Sequence, residues 1–225
     1  MEYYQYEKKP RVLCLHGHRS NTEILKKELV LNWAEIVLEK QDLVFLNGPF
    51  LLPDKVDVRI FFSLPYFAWF HADKDFKEIS KFEECVQYIE DNMEKYGPFD
   101  GVLGFSQGAV VTASMPGMQR EGVAFTKVPK IKFVIIISGI EFGCPNLAAN
   151  AFASPIEIPS LHFIGEKEIG KPNEEELVEC FVNPVVIHHP EGHKVPNLDA
   201  ESVETVIAFI NKVKKIKMPL QGKNL

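Results

Sequence analysis

Gly104-Phe105-Ser106-Gln107-Gly108 is a G-x-S-x-G match, and it holds the serine best placed to act as a nucleophile. A serine at the tip of a very sharp strand-to-helix turn is forced into a strained backbone conformation that exposes its hydroxyl. Glycines two residues to either side let the strand and helix pack closely behind it. Here the motif lies between the apolar Val102-Leu103 and the helix-compatible Ala109-Val110-Val111. That setting favours Ser106 as a nucleophile over a solvated turn serine.

A serine hydroxyl is a poor nucleophile near neutral pH and needs a base within hydrogen-bond reach. Of the seven histidines, His193 fits best, in the loop Pro190-Glu191-Gly192-His193-Lys194-Val195-Pro196 after an apolar run. His188 and His189 are neighbours on a strand and face opposite sides, so at most one can point at Ser106. His162 lies mid-strand and reads as a satisfied buried side chain. His71 falls among aromatics and is placed to touch a substrate. An acid must hold the imidazole in its tautomer and stabilise the imidazolium. Gly165-Glu166-Lys167-Glu168-Ile169-Gly170 offers two glutamates between Ser106 and His193 in the chain. Glu168 is favoured and Glu166 stays open, since its position near the strand end also suits a surface charge. Asp100 starts its strand at the opposite edge and reads as a turn residue. Donors for a developing oxyanion are expected from the backbone N–H of Gln107 and from that of His18, past His16-Gly17. His16 itself reads as a ring pinning that loop.

These groups need strands that end together, because binding and catalytic groups of an open α/β sheet gather at the carboxyl ends of its strands. Short apolar runs at 11–17, 43–46, 101–105, 131–139, 160–165 and 185–189 read as strands. The run at 131–139 is nearly all β-branched, as in a strand buried on both faces. Helical periodicity is expected over about 22–40, capped by Ser20 or Asn21, and over 81–96. After Ser106 a helix is expected to run to about Met115 and stop at Pro116-Gly117. Asn173-Glu174-Glu175-Glu176 reads as a capped helix start with Glu176 bonding back, and a last helix spans about 198–215. Strand alternating with helix predicts a mostly parallel sheet of about six strands, helices on both faces, in one domain.

Residues 50–80 break the pattern with prolines 53 and 65 and a crowd of aromatics. Such a segment reads as a lid or binding loop, with a satellite core as the alternative. Phe62, Tyr66, Phe67 and Trp69, with Phe142, are the expected substrate-binding side chains.

The chain of 225 residues carries 25 Lys+Arg against 31 Asp+Glu, a net charge of −6. This balance, without a basic stripe interleaved with aromatics, excludes a nucleic-acid partner. Lys212, Lys214, Lys215 and Lys217 close the last helix, where cations complement its dipole. No apolar run approaches membrane-spanning length, and Cys14, Cys85, Cys144 and Cys180 lack disulfide or metal spacing. A cytoplasmic or nuclear protein is expected, without metal or cofactor, a monomer or weak homodimer acting on a small-molecule ester.

Leu15-His16-Gly17-His18-Arg19, Gly104-Phe105-Ser106-Gln107-Gly108 and Gly192-His193-Lys194-Val195-Pro196, in this order, resemble the FSH-type serine hydrolases of the α/β-hydrolase class. The resemblance covers nearly all of residues 10–212, and the text around 130–139 and 184–190 is similar to the plant branch. It implies a compact α/β-hydrolase fold and carboxylesterase activity on acyl esters. It also implies a triad of Ser106, His193 and Glu168. The family usually carries aspartate at the last position; this chain is one methylene longer there. A moderately apolar acyl or alcohol group is the expected substrate. Non-hydrolytic acid/base chemistry, such as elimination or cyclisation, and hydrophobic-ligand binding are the alternatives.

Overall fold

The structure, a computed structural model, describes residues 8–53 and 65–216. Its centre is a six-stranded sheet of β1 (Arg11–Leu15), β2 (Asp42–Leu46), β7 (Gly101–Phe105), β8 (Phe133–Ile137), β9 (Ser160–Gly165) and β10 (Val185–His189), in the order β10-β9-β8-β7-β1-β2. Every pairing in it is parallel. The chain places β2 on one side of β1 and β7 on the other, so the order reverses there. The crevice outside the carboxyl ends of β1 and β7 is the switch point where such sheets bind ligands.

Side-chain alternation divides the core into two layers. Phe133, Ile135 and Ile137 of β8 face one way, with Leu25, Leu29, Val37, Phe209 and Ile210. These come from α1 (Thr22–Asn32), α2 (Glu35–Leu38) and α7 (Ala200–Val213). Val134 and Ile136 face the other way, into the layer filled by α3 (Phe82–Tyr96), α4 (Gln107–Glu121), α5 (Pro145–Phe152) and α6 (Lys171–Glu179). A strand buried on both faces needs an apolar side chain at every position, which is why 133–137 reads FVIII.

The helix expected over 22–40 is two helices. Asn21, the cap, accepts from the N–H of Ile24 at 2.9 Å. Trp33 ends α1 in an extended conformation, and the freed Asn32 carbonyl accepts from the N–H of Leu198. The break lets Trp33 lie 5.5 Å from Phe163 and turns Ile36 out to solvent.

Pro116-Gly117 does not stop the helix after Ser106. α4 continues through both to Glu121 and closes at Gly122, in the left-handed conformation. A Cβ on Gly117 would lie 1.6 Å from the Ala151 carbonyl oxygen, so this glycine is where α4 and α5 touch. Packing on all sides of α4 outweighs the one hydrogen bond that proline removes. α5 has no counterpart in the sequence reading. α6 begins at Lys171, two residues before the expected Asn173 cap, with Pro172 in its first turn and no side-chain cap bond. Proline suits that turn because its missing N–H would have had no partner there.

In the aromatic segment, β3 (Phe50–Leu52) pairs with β4 (Tyr66–Ala68), and β5 (His71–Ala72) with β6 (Ile79–Ser80), both antiparallel. Phe61 and Phe62 lie outside the described residues. Among the described residues, no helix is long and apolar enough to cross a membrane.

Candidate active site

β7 delivers Ser106 into the turn before α4 at φ 54, ψ −119, a positive φ that a non-glycine residue adopts only under strain. The surrounding glycines explain how the turn is built. A Cβ on Gly104 would meet the Gly108 carbonyl oxygen at 2.4 Å, and one on Gly108 would meet that of Leu15 at 2.3 Å. Strand and helix cross too closely at these two points for any other residue. The Ser106 N–H donates to the Ile137 carbonyl at 3.0 Å, fixing the turn to β8.

The structure brings His193 and Glu168 to this serine. His193 Nε2 lies 2.9 Å from Ser106 Oγ, and its Nδ1 lies 2.8 Å from Glu168 Oε2. The imidazole is half exposed, with 51% of its side chain accessible, whereas the Glu168 side chain keeps 10%. The ring also packs against Phe105, 5.2 Å between centroids. The loops carrying the two groups are tied by backbone: the Glu166 N–H donates to His189 O, and the Lys167 N–H to Glu191 O. Glu191 accepts from the Asn197 N–H and pairs with Lys194, and Val195 is buried in the core, so the base loop is pinned at several points. Glu166 points elsewhere, paired with Lys171 at 2.6 Å and His188 at 2.9 Å; the Lys171 contact holds its carboxyl below the usual range.

The loop after β1 carries the expected oxyanion donors' second member. Gln107 is the first residue of α4, where backbone donors have no partner within the helix. The His18 ring, on the surface, meets the Gln107 side chain, and partial desolvation there lowers its pKa. His16 pins the loop: its Nε2 accepts from the Gly48 N–H at 2.9 Å while Nδ1 donates to the Gly17 carbonyl at 2.7 Å. Burial pushes His16 down to about 4, so it stays neutral. His162 bonds Ser160 Oγ at 3.0 Å, and burial takes it to about 3. Asp100 sits at the far end of the sheet, accepting from the Arg11 N–H and from Lys132.

The aromatic expectation divides. Phe67 is half-buried, 6.4 Å from the His16 ring, and its N–H donates to Ser20 O. Tyr66 is 8% exposed. Trp69 and Phe142 are core residues and form no open wall. Trp69 is a strut: its indole N–H donates to His16 O at 2.7 Å and its backbone N–H to Gln107 Oε1 at 2.9 Å. Gln107 Nε2 in turn donates to Phe70 O. Phe142 packs edge-on to Phe82 at 5.1 Å. Their size and apolar character made them fit a pocket or a core equally; both belong to the buried cluster on the α3–α6 side of the sheet.

Two acids escaped the sequence reading. Glu28, on α1, faces His193, and burial raises its pKa. Glu174, on α6, is 3% exposed and pushed up to about 8, first by burial and then by Glu168. The available signal was Pro172, which starts α6 earlier and turns position 174 inward. Among the described residues, Glu168, Glu174 and His193 are the set with metal-ligand chemistry, one atom of each within 4.8 Å of the others. Both ring nitrogens of His193 are already engaged, by Ser106 and Glu168.

Comparison with known proteins places the chain in a family. The profile of the FSH1 serine hydrolase family matches residues 4–205. Esterase OVCA2 of Xenopus tropicalis is 32% identical, over 83% of this chain and 86% of its own. Esterase CG5412 of Drosophila melanogaster is 31% identical, over 89% and 73%. Among solved structures, Zea mays acyl-protein thioesterase 2 superimposes with a TM-score of 0.63 over 92% of this chain and 94% of its own; at 18% identity this likeness speaks for the α/β-hydrolase fold alone. By profile and by identity with these esterases, the chain belongs to the FSH1 family of serine hydrolases.

Proposed function

We propose that this serine hydrolase cleaves small, moderately apolar acyl esters through a Ser106-His193-Glu168 triad and an acyl-enzyme. The observation that carries the reading is the continuous hydrogen-bonded line from Ser106 Oγ through the His193 ring to Glu168, at 2.9 and 2.8 Å. In the first step His193 Nε2 takes the Ser106 proton as Oγ attacks the ester carbonyl carbon. Glu168 accepts from Nδ1–H throughout, so the imidazolium forms beside a fixed negative charge. The carbonyl oxygen becomes an oxyanion facing the N–H groups of Gln107 and His18; each such donor contributes about 3–4 kcal/mol to the transition state. His193 then gives its proton to the departing alcohol. Water, deprotonated by the same ring, releases the acid and restores Ser106.

Glu168 is preferred to Glu166 because Glu166 is already paired with Lys171 and His188. Phe67, half-buried and tied to the loop after β1 through its N–H on Ser20 O, is the described aromatic offered for the apolar group; Tyr66 and Phe62 belong to the same proposal from sequence alone. All four cysteines are free thiols, in keeping with a reducing compartment.

Labelling with a fluorophosphonate probe beside Ser106→Ala tests the nucleophile. The wild type should label and hydrolyse aryl esters, with kcat lowered about 10⁴-fold or more in the variant. Product formation that survives Ser106→Ala but not His193→Ala would show acid/base chemistry in place of acyl transfer. Tight binding of an apolar ligand with no labelling would show a binder.

A further inference from the structure

The site contains a carboxyl group that the triad does not use. Glu174 lies on α6 and is almost completely buried. One oxygen of it falls within 4.8 Å of an oxygen of Glu168 and of a ring nitrogen of His193. The Gly165 N–H and the Ser138 hydroxyl face its carboxyl, yet Oε2 closes no hydrogen bond among the described residues, and neither does Ser138 Oγ. Ser138 stands at the carboxyl end of β8 with φ 50, a strained conformation for a non-glycine residue. A strained serine and an unpaired carboxyl oxygen thus meet beside Glu168.

Two carboxylates this close in a buried setting do not both ionise near neutral pH. Glu168 faces the imidazole and accepts from the Gly170 N–H, whereas burial and the Glu168 charge push the Glu174 carboxyl up to about 8. The proton therefore sits on Glu174. We propose that Glu174 is a positioning residue, a neutral carboxylic acid that backs Glu168, directs that carboxylate toward His193 Nδ1, and keeps a single negative charge behind the base. This rests on the triad reading above.

Among the described residues, five groups are seen to face Glu174. They are Glu168 and His193 from the two loops, Glu175 from its own helix, and the uncharged Ser138 and Gly165 donors. Cations nearby are occupied: Lys171 pairs with Glu166 and Glu175. Raising the pH past about 8 ionises Glu174. A second anion then pushes on Glu168 and loosens its hold on the ring.

Three measurements test this on the full chain. With an aryl ester, wild-type kcat/KM should fall about tenfold between roughly pH 7 and pH 9.5. Glu174→Gln, which keeps a neutral donor, should remove that fall. Glu174→Leu, with no donor, should lower kcat at about pH 7 by roughly tenfold with KM little changed, and Glu174→Gln should recover most of the loss. An alkaline fall unchanged in Glu174→Gln, or a Glu174→Leu enzyme with wild-type kcat, overturns the proposal. Carbon NMR of the glutamate carboxyls needs no turnover: one should titrate near the raised value and be missing in Glu174→Gln. Its absence also overturns the proposal, whereas loss of Ser106-dependent turnover in the wild type strikes the triad reading instead.

Discussion

The two sides of the cleft treat similar residues in opposite ways. On the side after β9, three glutamates lie within nine residues and meet three fates. Glu166 is exposed and ion-paired, Glu168 is largely covered and bonds the imidazole, and Glu174 is buried with its pKa pushed up. On the side after β1, His16 and His18 lie two residues apart. His16 is sealed in the core as a neutral brace between Gly17 and Gly48, whereas His18 is exposed, with its ring on Gln107. The first side spreads negative charge so that one carboxylate meets the imidazole; the second keeps a buried ring neutral so that a loop stays still. Residue type sets what a group can do, and burial with its partners decides what it does.

The largest effect should separate Glu168 from its neighbours. Glu168→Gln removes the acceptor for Nδ1–H and should lower kcat by about 10³–10⁴, as loss of the acid does in other triads, with an unchanged circular-dichroism spectrum. A variant at wild-type rate would hand the acid role to another carboxylate, and Glu166 would be tested next.

The brace side is read in stability. His16→Ala leaves the Gly48 N–H unpaired and opens a cavity, so denaturant unfolding should show a loss of about 2–4 kcal/mol. The same ring should shape the acid limb. Its pKa is about 4 when folded against the ordinary histidine value of about 6.5, so the unfolded chain binds the extra proton first. Its contribution is complete above about pH 6.5 and declines as pH falls toward 4, by up to about 3 kcal/mol. Thermal unfolding across that window should be flatter in His16→Ala; equal slopes would remove His16 as the cause. Smallest of all, Glu166→Gln removes an exposed pair and should change turnover by less than about twofold, checked on the same ester.

Much of the molecule was legible in the chain. Short, nearly continuous apolar runs marked the strands, because a strand buried on both faces has no choice of side chain. The G-x-S-x-G spacing marked the elbow, since only glycine fits where β7 and α4 meet. What failed were local rules overruled at a distance. Pro116 would end an isolated helix, but α4 is enclosed by the sheet and α5, and Gly117 is spent on the contact with Ala151. Trp69 and Phe142 had the size for a pocket wall, and burial took them into the core instead.

By itself the sequence determined the layered α/β architecture, the candidate nucleophile and its candidate base, because each depends on short-range spacing that chemistry tightly constrains. Only the tertiary structure decided between Glu166 and Glu168 as the partner of that imidazole, and only it exposed Glu174. Both outcomes turn on which direction a carboxylate faces and how much water reaches it. Those are properties of the assembled β8, β9 and β10 ends, and no window of neighbouring residues contains them.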